Sequence, residues 1–311
     1  MKTEILGADA PNAIARAVEV LRGGDPVALP TETVYGLAAD ALNVDALLKI
    51  FEAKERPHFD PLIVHLPERE WLDRLTNTSE SPLVRQLIDR FWPGPLTLVL
   101  PRRAIVPDLV TAGLETVAVR MSAHSVFAEI VRTFGSPLAA PSANRFGRIS
   151  PTQAAHVKSE LDGRIPLIID AGPTTHGIES TIVAPRGDRL EILRPGPITA
   201  EELRELGEVS YARAGDRPQA PGQLPSHYAP RTPLVVTNEL CHMLEPGRRV
   251  GILSFAVLSE TRDLREAAAN LFRCLRELDS AGYDLIVAEE LPEEGLGVAI
   301  MDRLRRAAAT R

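Results

Sequence analysis

The sequence contains few cysteines, the residues that form disulfide bonds and many structural zinc sites. Two of its 311 residues are cysteine, Cys241 and Cys274, and they form no CxxC pair. A disulfide framework and a thiolate zinc site are therefore excluded, and a reducing compartment is the simplest interpretation. No apolar run approaches the ~18 residues of a membrane span, and the first residues lack the apolar core of a signal peptide. We expect a cytoplasmic protein with no membrane segment.

Several common catalytic signatures are absent as well. No Gly-Lys dipeptide occurs, so there is no Walker A loop, and GxGxxG, GxSxG and HExxH are also missing. The usual sequence support for P-loop, dinucleotide, serine-hydrolase and zinc-peptidase chemistry is therefore lacking.

The charge balance is mildly acidic. Lys and Arg number 35 against 42 Asp and Glu, a net charge of -7. This argues against a surface that coats nucleic acid or anionic lipid, but it leaves room for a local basic pocket. With 44% hydrophobic and 25% charged residues, the chain has an ordinary globular composition and is not disordered as a whole.

Short apolar runs alternate with helical patterns along most of the chain. The 26 prolines punctuate these runs, because proline ends helices and limits strands. The first helix is predicted to be capped by Asp9, with Pro11 in its first turn and Gly23 and Gly24 at its end. Further helices are predicted over 43–54, 82–91, 125–134, 151–161, 262–278 and 299–309. Strands are predicted over 27–29, 62–66, 96–100, 116–119, 138–140, 167–169, 181–183, 190–193, 234–236, 250–255 and 285–288. The alternation predicts an α/β fold with a buried mixed sheet.

A change of composition divides the chain. Residues 214–233 contain five prolines and almost no aliphatic side chains, as expected of a semi-extended linker. We predict a catalytic domain over 1–210, a linker over 211–233 and a small α/β domain over 234–311.

Cationic and polar residues follow several apolar runs, where α/β sheets place ligands. Lys54 and Arg56 either complement the dipole of the preceding helix or clamp phosphate oxygens. His65 is either a satisfied histidine at a strand end or a ligand-binding group. Arg120 needs an anionic partner, which is either an internal carboxylate or a substrate carboxylate.

Two polar segments admit the same pair of interpretations. The Pro-Ser-Ala-Asn segment over 141–144 is either a turn or a ligand-orienting loop. Ser150, followed by Pro151, is either a helix cap or part of a phosphate site. From these residues alone the chain is a two-domain α/β protein with a predicted anion pocket.

Taken together and in order, these segments resemble the YrdC-like family. The matching blocks are PTETVYGL (30–37), KERP (54–57), PLIVH (61–65), WPGPLT (92–97), APSAN (140–144), EST (179–181) and LRPG (193–196). SHYAP (226–230) in the linker and the C-terminal unit are similar to the long, two-domain form of the threonylcarbamoyl-AMP synthases. The resemblance implies a YrdC-like domain with a twisted mixed sheet and a small Rossmann-like C-terminal domain.

The resemblance also implies a reaction. Threonylcarbamoyl-AMP synthases convert L-threonine, bicarbonate and ATP into threonylcarbamoyl-AMP and pyrophosphate. A separate transferase then uses the product to modify the adenosine next to the anticodon of certain tRNAs. Mg²⁺ is expected to arrive with ATP, and no protein-held metal is expected.

Site residues carry over from the family by position. Those implied for L-threonine are Thr33, His65, Arg120, Ala140, Ser142 and Ser180. Those implied for ATP are Lys54, Arg56, Asp60, Thr116, Ser142, Asn144, Ser150, Arg194 and Tyr228. Lys54, Arg56 and Arg120 are expected to position the reactants and stabilise charge, and Tyr228 to close the linker over the occupied pocket.

Two positions depart from the family pattern. Asp60 and Asp302 stand where the family usually has asparagine, and a carboxylate beside ATP would repel phosphate unless it is compensated.

Two other functions remain open. The first is carbamoyl transfer, although the acylphosphatase and zinc-finger parts that accompany it are absent from this sequence. The second is binding to tRNA, double-stranded RNA or the ribosome through a local basic groove.

Overall fold

A large mixed sheet forms the first part of the molecule. The computed structural model describes residues 2–77, 81–212, 218–239, 243 and 247–309. Across these residues eleven strands join in the order β1-β8-β2-β3-β7-β4-β6-β5-β9-β10-β11. Their bounds are β1 Glu4–Gly7, β2 Val27–Leu29, β3 Gly36–Asp40, β4 Ile63–His65, β5 Leu96–Pro101, β6 Thr116–Arg120, β7 Leu138–Ala139, β8 Leu167–Asp170, β9 Thr181–Arg186, β10 Arg189–Arg194 and β11 Glu208–Tyr211. The predicted fold class, with its mixed sheet, is confirmed.

Helices cover both faces of this sheet. They are α1 Ala13–Arg22, α2 Val44–Lys54, α3 Trp71–Leu75, α4 Pro82–Phe91, α5 Asp108–Thr111, α6 Ser125–Phe134, α7 Ala154–Leu161 and α8 Ala200–Arg204. Alternate strand residues face opposite sides. In β2, Val27 and Leu29 pack with α1 and α6, whereas Ala28 packs in the cluster that contains α2 and α4. The central strands are therefore buried on both faces.

The C-terminal unit is a three-stranded parallel sheet with helices. Its elements are β12 Leu234–Val236, β13 Val250–Leu253, α9 Phe255–Leu258, α10 Leu264–Ser280, β14 Leu285–Ala288 and α11 Leu296–Ala308, and the strand order is β12-β14-β13. Cys274 is a buried residue of α10, and Cys241 lies outside the described residues.

The two units share one hydrophobic cluster. Val34, Ile149 and Ile178 of the first unit pack with Tyr228 and with the core of the C-terminal unit. Gly177 permits a close approach, since a Cβ at this position would lie 2.4 Å from the carbonyl oxygen of Ala269 in α10. In the described part of the chain, no helix is long and apolar enough to cross a bilayer.

The sequence misplaced several helix starts, and a local structural cause explains two of them. Helix α1 begins at Ala13 with Asn12 at its N-cap, because the chain first turns through 8–12 and Asp9 caps nothing. Helix α7 begins at Ala154, because the carbonyl of Pro151 accepts a hydrogen bond from the backbone of Tyr35. Ser150 is therefore not a helix cap, which corrects that interpretation.

Candidate active site

A cavity lies where the ends of several strands of the large sheet meet the linker. Its free volume is about 50 Å³. It is lined by Thr31, Thr33, Val34, Gly36, Arg56, Ile63, His65, Arg120, Ala140, Pro141, Ser142, Glu179, Ser180, Arg194, Pro221, Gly222, His227 and Tyr228. Nine of the residues predicted for the site are therefore brought together.

Arg120 projects from the last position of β6, beside His65 at the last position of β4. Its Nη1 donates to Thr33 Oγ1 at 3.3 Å, and its Nη2 forms a buried ion pair with the carboxylate of Glu32. The Nε atom is buried and has no partner among the described residues. The sequence left open whether Arg120 pairs with an internal or a substrate carboxylate, and in the structure it pairs with the internal carboxylate of Glu32. One donor of its guanidinium, Nε, stays available at the cavity.

Glu32 remains ionised in this setting. Burial by itself would raise the pKa of the carboxyl, but the Arg120 charge and the hydroxyl of Ser122 together lower the pKa below its usual value. The cavity wall therefore contains a compensated charge pair rather than a lone cation.

His65 is a neutral imidazole. Burial, reinforced by the Arg120 charge, lowers its pKa well below the usual value. Its ring packs against Phe127 at 4.6 Å between centroids, and its Nδ1 has no hydrogen-bond partner in the described part of the chain. The site therefore offers an uncharged nitrogen ligand next to Arg120.

Ser180 and Arg194 form the opposite wall. Arg194 Nη2 donates to the carbonyl of Ser180 at 2.9 Å and to its hydroxyl at 3.1 Å. The Ser180 hydroxyl also lies 2.8 Å from that of Thr97. Burial lowers the pKa of Arg194, and its guanidinium is held in place by backbone oxygens, including that of Pro221. This geometry presents a fixed, desolvated cation.

Lys54 lies behind the cavity rather than on its surface. Its Nζ donates to the carbonyls of Ser142 and Asn144, both at 2.5 Å. Burial and then the Arg56 charge lower the pKa of this amine well below its usual value. Lys54 thus fixes the loop that carries Ser142 into the cavity.

Asp60 compensates Arg56. Arg56 Nη2 lies 2.9 Å from Asp60 Oδ2, and both side chains are buried. Asp60 does not line the cavity, but its carboxylate interacts electrostatically with Arg56, Lys54 and Arg194.

Three further predicted residues do not line the cavity. Thr116 begins β6, about 13 Å along the strand from Arg120. Asn144 is buried and donates to the carbonyls of Arg145 and Arg148 at 2.8 and 2.9 Å, while Ser150 donates to Glu179 Oε1 at 2.5 Å.

The linker covers the cavity. We call residues 221–228 the strap, four of which line the cavity. Tyr228 has a positive φ of 63°, and its ring lies 4.1 Å from that of His227 and 5.5 Å from that of Phe272. Its hydroxyl is buried and has no hydrogen-bond partner among the residues described. The strap thus forms part of the cavity wall, on the side of the C-terminal unit.

Sequence reasoning missed three residues of this site: Glu32, Glu179 and His227. All three lie inside the matching blocks, next to Thr33, Ser180 and Tyr228. Glu32 and Glu179 could have been found from the sequence, because each is a carboxylate directly before a predicted ligand-binding residue in a block expected to be buried.

Within the described residues no group of three or more His, Cys, Asp or Glu side chains could hold a metal ion. The two carboxylates nearest the cavity, Glu32 and Glu179, are each paired with an arginine.

Two family models match the chain. Residues 19–196 match the Sua5/YciO/YrdC model, described as "Telomere recombination", and residues 198–309 match "Threonylcarbamoyl-AMP synthase, C-terminal domain". Together they cover both structural units.

Named relatives match over nearly the whole chain. The threonylcarbamoyl-AMP synthase of Bacillus subtilis is 42% identical over 96% of this chain and 93% of its own. The crystal structure of P. abyssi Sua5 complexed with L-threonine superposes with a TM-score of 0.91 at 39% identity, covering 98% of both chains. A P. abyssi Sua5 variant with a histidine and the following tyrosine changed to alanine superposes at 0.92, with 39% identity over 98% of this chain and 96% of that one.

Proposed function

This chain belongs to the Sua5/YciO/YrdC family, in the form with the threonylcarbamoyl-AMP synthase C-terminal domain, and we infer that it makes threonylcarbamoyl-AMP from L-threonine, bicarbonate and ATP. The observation that carries this inference is the match over 98% of the chain to a threonine-bound Sua5. The chain is therefore an enzyme of the nucleotidyltransferase type.

The reaction needs little covalent chemistry from the protein. The threonine amine attacks the carbon of carbon dioxide and loses a proton, or it attacks the carbon of bicarbonate, whose C–O bond breaks so that water leaves. Either route gives a carbamate. A carbamate oxygen then attacks the α-phosphorus of ATP, the bond to the β-phosphate oxygen breaks, and pyrophosphate leaves. Positioning and charge stabilisation carry the rate enhancement in such a transfer.

We propose that Arg120 binds the carboxylate of L-threonine through its free Nε. Thr33, His65, Ser142 and Ser180 supply hydroxyl and imidazole groups around the rest of the amino acid, together with the backbone of Ala140. The ion pair between Arg120 and Glu32 is formed before the substrate binds. The substrate carboxylate therefore binds to a guanidinium whose position is already fixed and whose charge is already balanced.

We propose that Arg56 and Arg194, which both line the cavity, bind the phosphates of ATP. Lys54 acts mainly by holding the 142–144 loop, and Asp60 by tuning the charge of Arg56. Contacts of Thr116, Asn144 and Ser150 with ATP stay predictions. Mg²⁺ enters as part of the ATP substrate and neutralises phosphate charge.

We propose that the strap moves during the catalytic cycle. A free volume of about 50 Å³ holds neither ATP nor L-threonine together with ATP. We propose that the strap opens to admit substrates and closes again with Tyr228 over them. A closed strap excludes water from the labile carbamate and adenylate.

The decisive test is pyrophosphate release from Mg²⁺-ATP by the purified protein, with L-threonine and bicarbonate omitted in turn. Release that requires both substrates supports the proposal. Release that requires neither indicates a simple ATP hydrolase and contradicts it.

The later fate of the product is also a proposal. We propose that a tRNA threonylcarbamoyl transferase consumes the adenylate and that both enzymes act in the cytoplasm. Direct contact with tRNA or double-stranded RNA is tested by a gel shift at increasing salt, since binding through phosphates weakens steeply as salt rises.

A further inference from the structure

Arg303 links the C-terminal unit to the wall of the candidate active site. It lies in α11 and is fully buried, with 0% of its surface exposed. Its Nε donates to Glu179 Oε2 at 2.9 Å, and its guanidinium carbon lies 5.3 Å from the centre of the Tyr228 ring. One side chain from the second unit therefore contacts both a cavity-lining carboxylate and the strap.

Glu179 is held from two sides. Arg303 binds one carboxylate oxygen and the hydroxyl of Ser150 binds the other. The next residue is Ser180, whose carbonyl and hydroxyl accept from Arg194. A displacement of Glu179 would therefore carry over to the wall formed by Ser180 and Arg194.

The same helix also holds the strap. Arg306 Nη1 donates to the carbonyl of Leu224 at 2.6 Å, and the Arg306 carbonyl accepts from the backbone N–H of His227 at 3.2 Å. Asp302 joins the two arginines, accepting from Arg303 at 2.8 Å and from Arg306 at 2.9 Å. A continuous ionic network thus runs from Glu179 through α11 to the strap.

We propose that Arg303 is a positioning residue for the active site: it fixes Glu179 in the cavity wall and, through Asp302 and Arg306, keeps the strap closed. The C-terminal unit then acts as a latch on the catalytic unit. The kinetic part of this proposal rests on the proposed function, but its structural part does not.

The test compares Arg303→Gln with Arg305→Gln in the full-length protein. Arg305 is the matched control, since it lies in the same helix and pairs at the surface with Glu293. We expect Arg303→Gln to lower kcat/KM for L-threonine by about 10–100-fold, as is typical when a supporting contact is lost. We expect amide exchange of the strap to accelerate at least about tenfold in the same variant. Arg305→Gln should leave both unchanged.

Strap exchange separates this proposal from the proposed function. If the wild-type protein released no threonine-dependent pyrophosphate, the proposed function would fail, and the exchange contrast between the two variants would still decide the role of Arg303. A folded Arg303→Gln variant with unchanged exchange and unchanged kcat/KM overturns the proposal.

Two further variants distinguish positioning from simple charge balance. A double variant, Arg303→Met with Glu179→Gln, removes both charges. If it stays as impaired as Arg303→Gln the proposal is supported, whereas recovery of activity and strap protection overturns it.

If Arg303→Gln does not fold, Arg303→Lys keeps the charge but loses the planar fork. An intermediate loss of kcat/KM with faster strap exchange is then expected, and no change in either measurement overturns the proposal.

Discussion

At the scale of single residues, two buried arginines at this site are paired with carboxylates far away in the sequence. Arg120 pairs with Glu32 and Arg303 with Glu179, because an unpaired buried guanidinium would be strongly destabilising. The sequence predicted which cations lie at the ends of strands, since those positions follow from apolar runs. It could not predict these partners, because pairing across 88 and 124 residues depends on the whole topology.

Arg120→Ala should separate threonine binding from ATP binding. Loss of a charged hydrogen-bond donor to a carboxylate costs about 2–5 kcal/mol, so KM for L-threonine should rise by at least about 30-fold. KM for ATP should change much less, because Arg56 and Arg194 remain. Steady-state pyrophosphate release with each substrate varied measures both constants.

The control for this substitution is Arg189→Ala, at a surface arginine of β10 that pairs with Glu208. It should leave both constants unchanged. A larger rise in KM for ATP than for L-threonine in Arg120→Ala would contradict the assignment of the two sides.

At the scale of elements, two helices with a clear apolar stripe, Pro82–Phe91 and Ser125–Phe134, were predicted to the residue. Strands β1, β3 and β11 were missed. Gly36–Asp40 consists mainly of small residues, and Glu208–Tyr211 is a largely exposed edge strand. Neither carries a periodic apolar signal, and both are strands because a neighbouring strand offers hydrogen bonds.

The strap should loosen on acidification before the rest of the protein unfolds. Burial, with Arg56, Lys54 and Arg194 nearby outweighing the opposite effect of Glu179, lowers the pKa of His227 from 6.5 to about 3. The closed strap therefore favours neutral imidazole, and its stability is complete above pH 6.5 and is lost as the pH falls towards 3. Each pH unit within this window costs about 1.4 kcal/mol.

Amide exchange of the strap at about pH 7.5 and 5.5, corrected for intrinsic rates, measures this effect. Faster exchange at the lower pH is expected in the wild type. In His227→Gln, which has no titrating group at this position, the corrected rates should be equal. Equal rates in the wild type would show that His227 does not report on strap closure.

Gly222→Ala should prevent the strap from closing fully. Gly222 has φ +83°, and a Cβ there would lie 2.6 Å from the hydroxyl oxygen of Tyr228. Gly24→Ala is a matched control, since its φ is +74° but nothing lies within 4 Å of the added Cβ. Both variants should lose about 1 kcal/mol or more from backbone strain, and Gly222→Ala alone should lose about tenfold or more in kcat/KM. Similar kcat/KM values for the two would contradict a role for close packing of Gly222 against Tyr228.

At the scale of the whole molecule, the two units should unfold as one cooperative unit. They share a hydrophobic cluster, and Arg276 of α10 also donates to the carbonyl of Ile149 and pairs with Glu160. The sequence predicted two units from the proline-rich linker between them. It could not reveal that the two units pack against each other, because a linker marks a boundary along the chain and does not indicate whether the segments on its two sides are in contact.

Leu271→Ala tests this coupling with a probe in the other unit. Leu271 is fully buried in α10, whereas both tryptophans, Trp71 and Trp92, belong to the first unit. Truncating a buried leucine costs about 2–5 kcal/mol. If the units unfold together, the loss shifts the tryptophan-fluorescence transition in urea by as much as the far-ultraviolet circular dichroism transition.

Two controls bracket that measurement. Ile130→Ala removes a buried side chain from the first unit and shifts the fluorescence transition whether or not the units are coupled. Val257→Ala, at a half-exposed position of the C-terminal unit, should shift neither signal. Independent units would instead leave the tryptophan transition of Leu271→Ala at the wild-type position and split the dichroism curve into two steps. Such a result would also weaken the role of α11 as a latch, because a latch can hold the strap only while its own unit stays folded against the first.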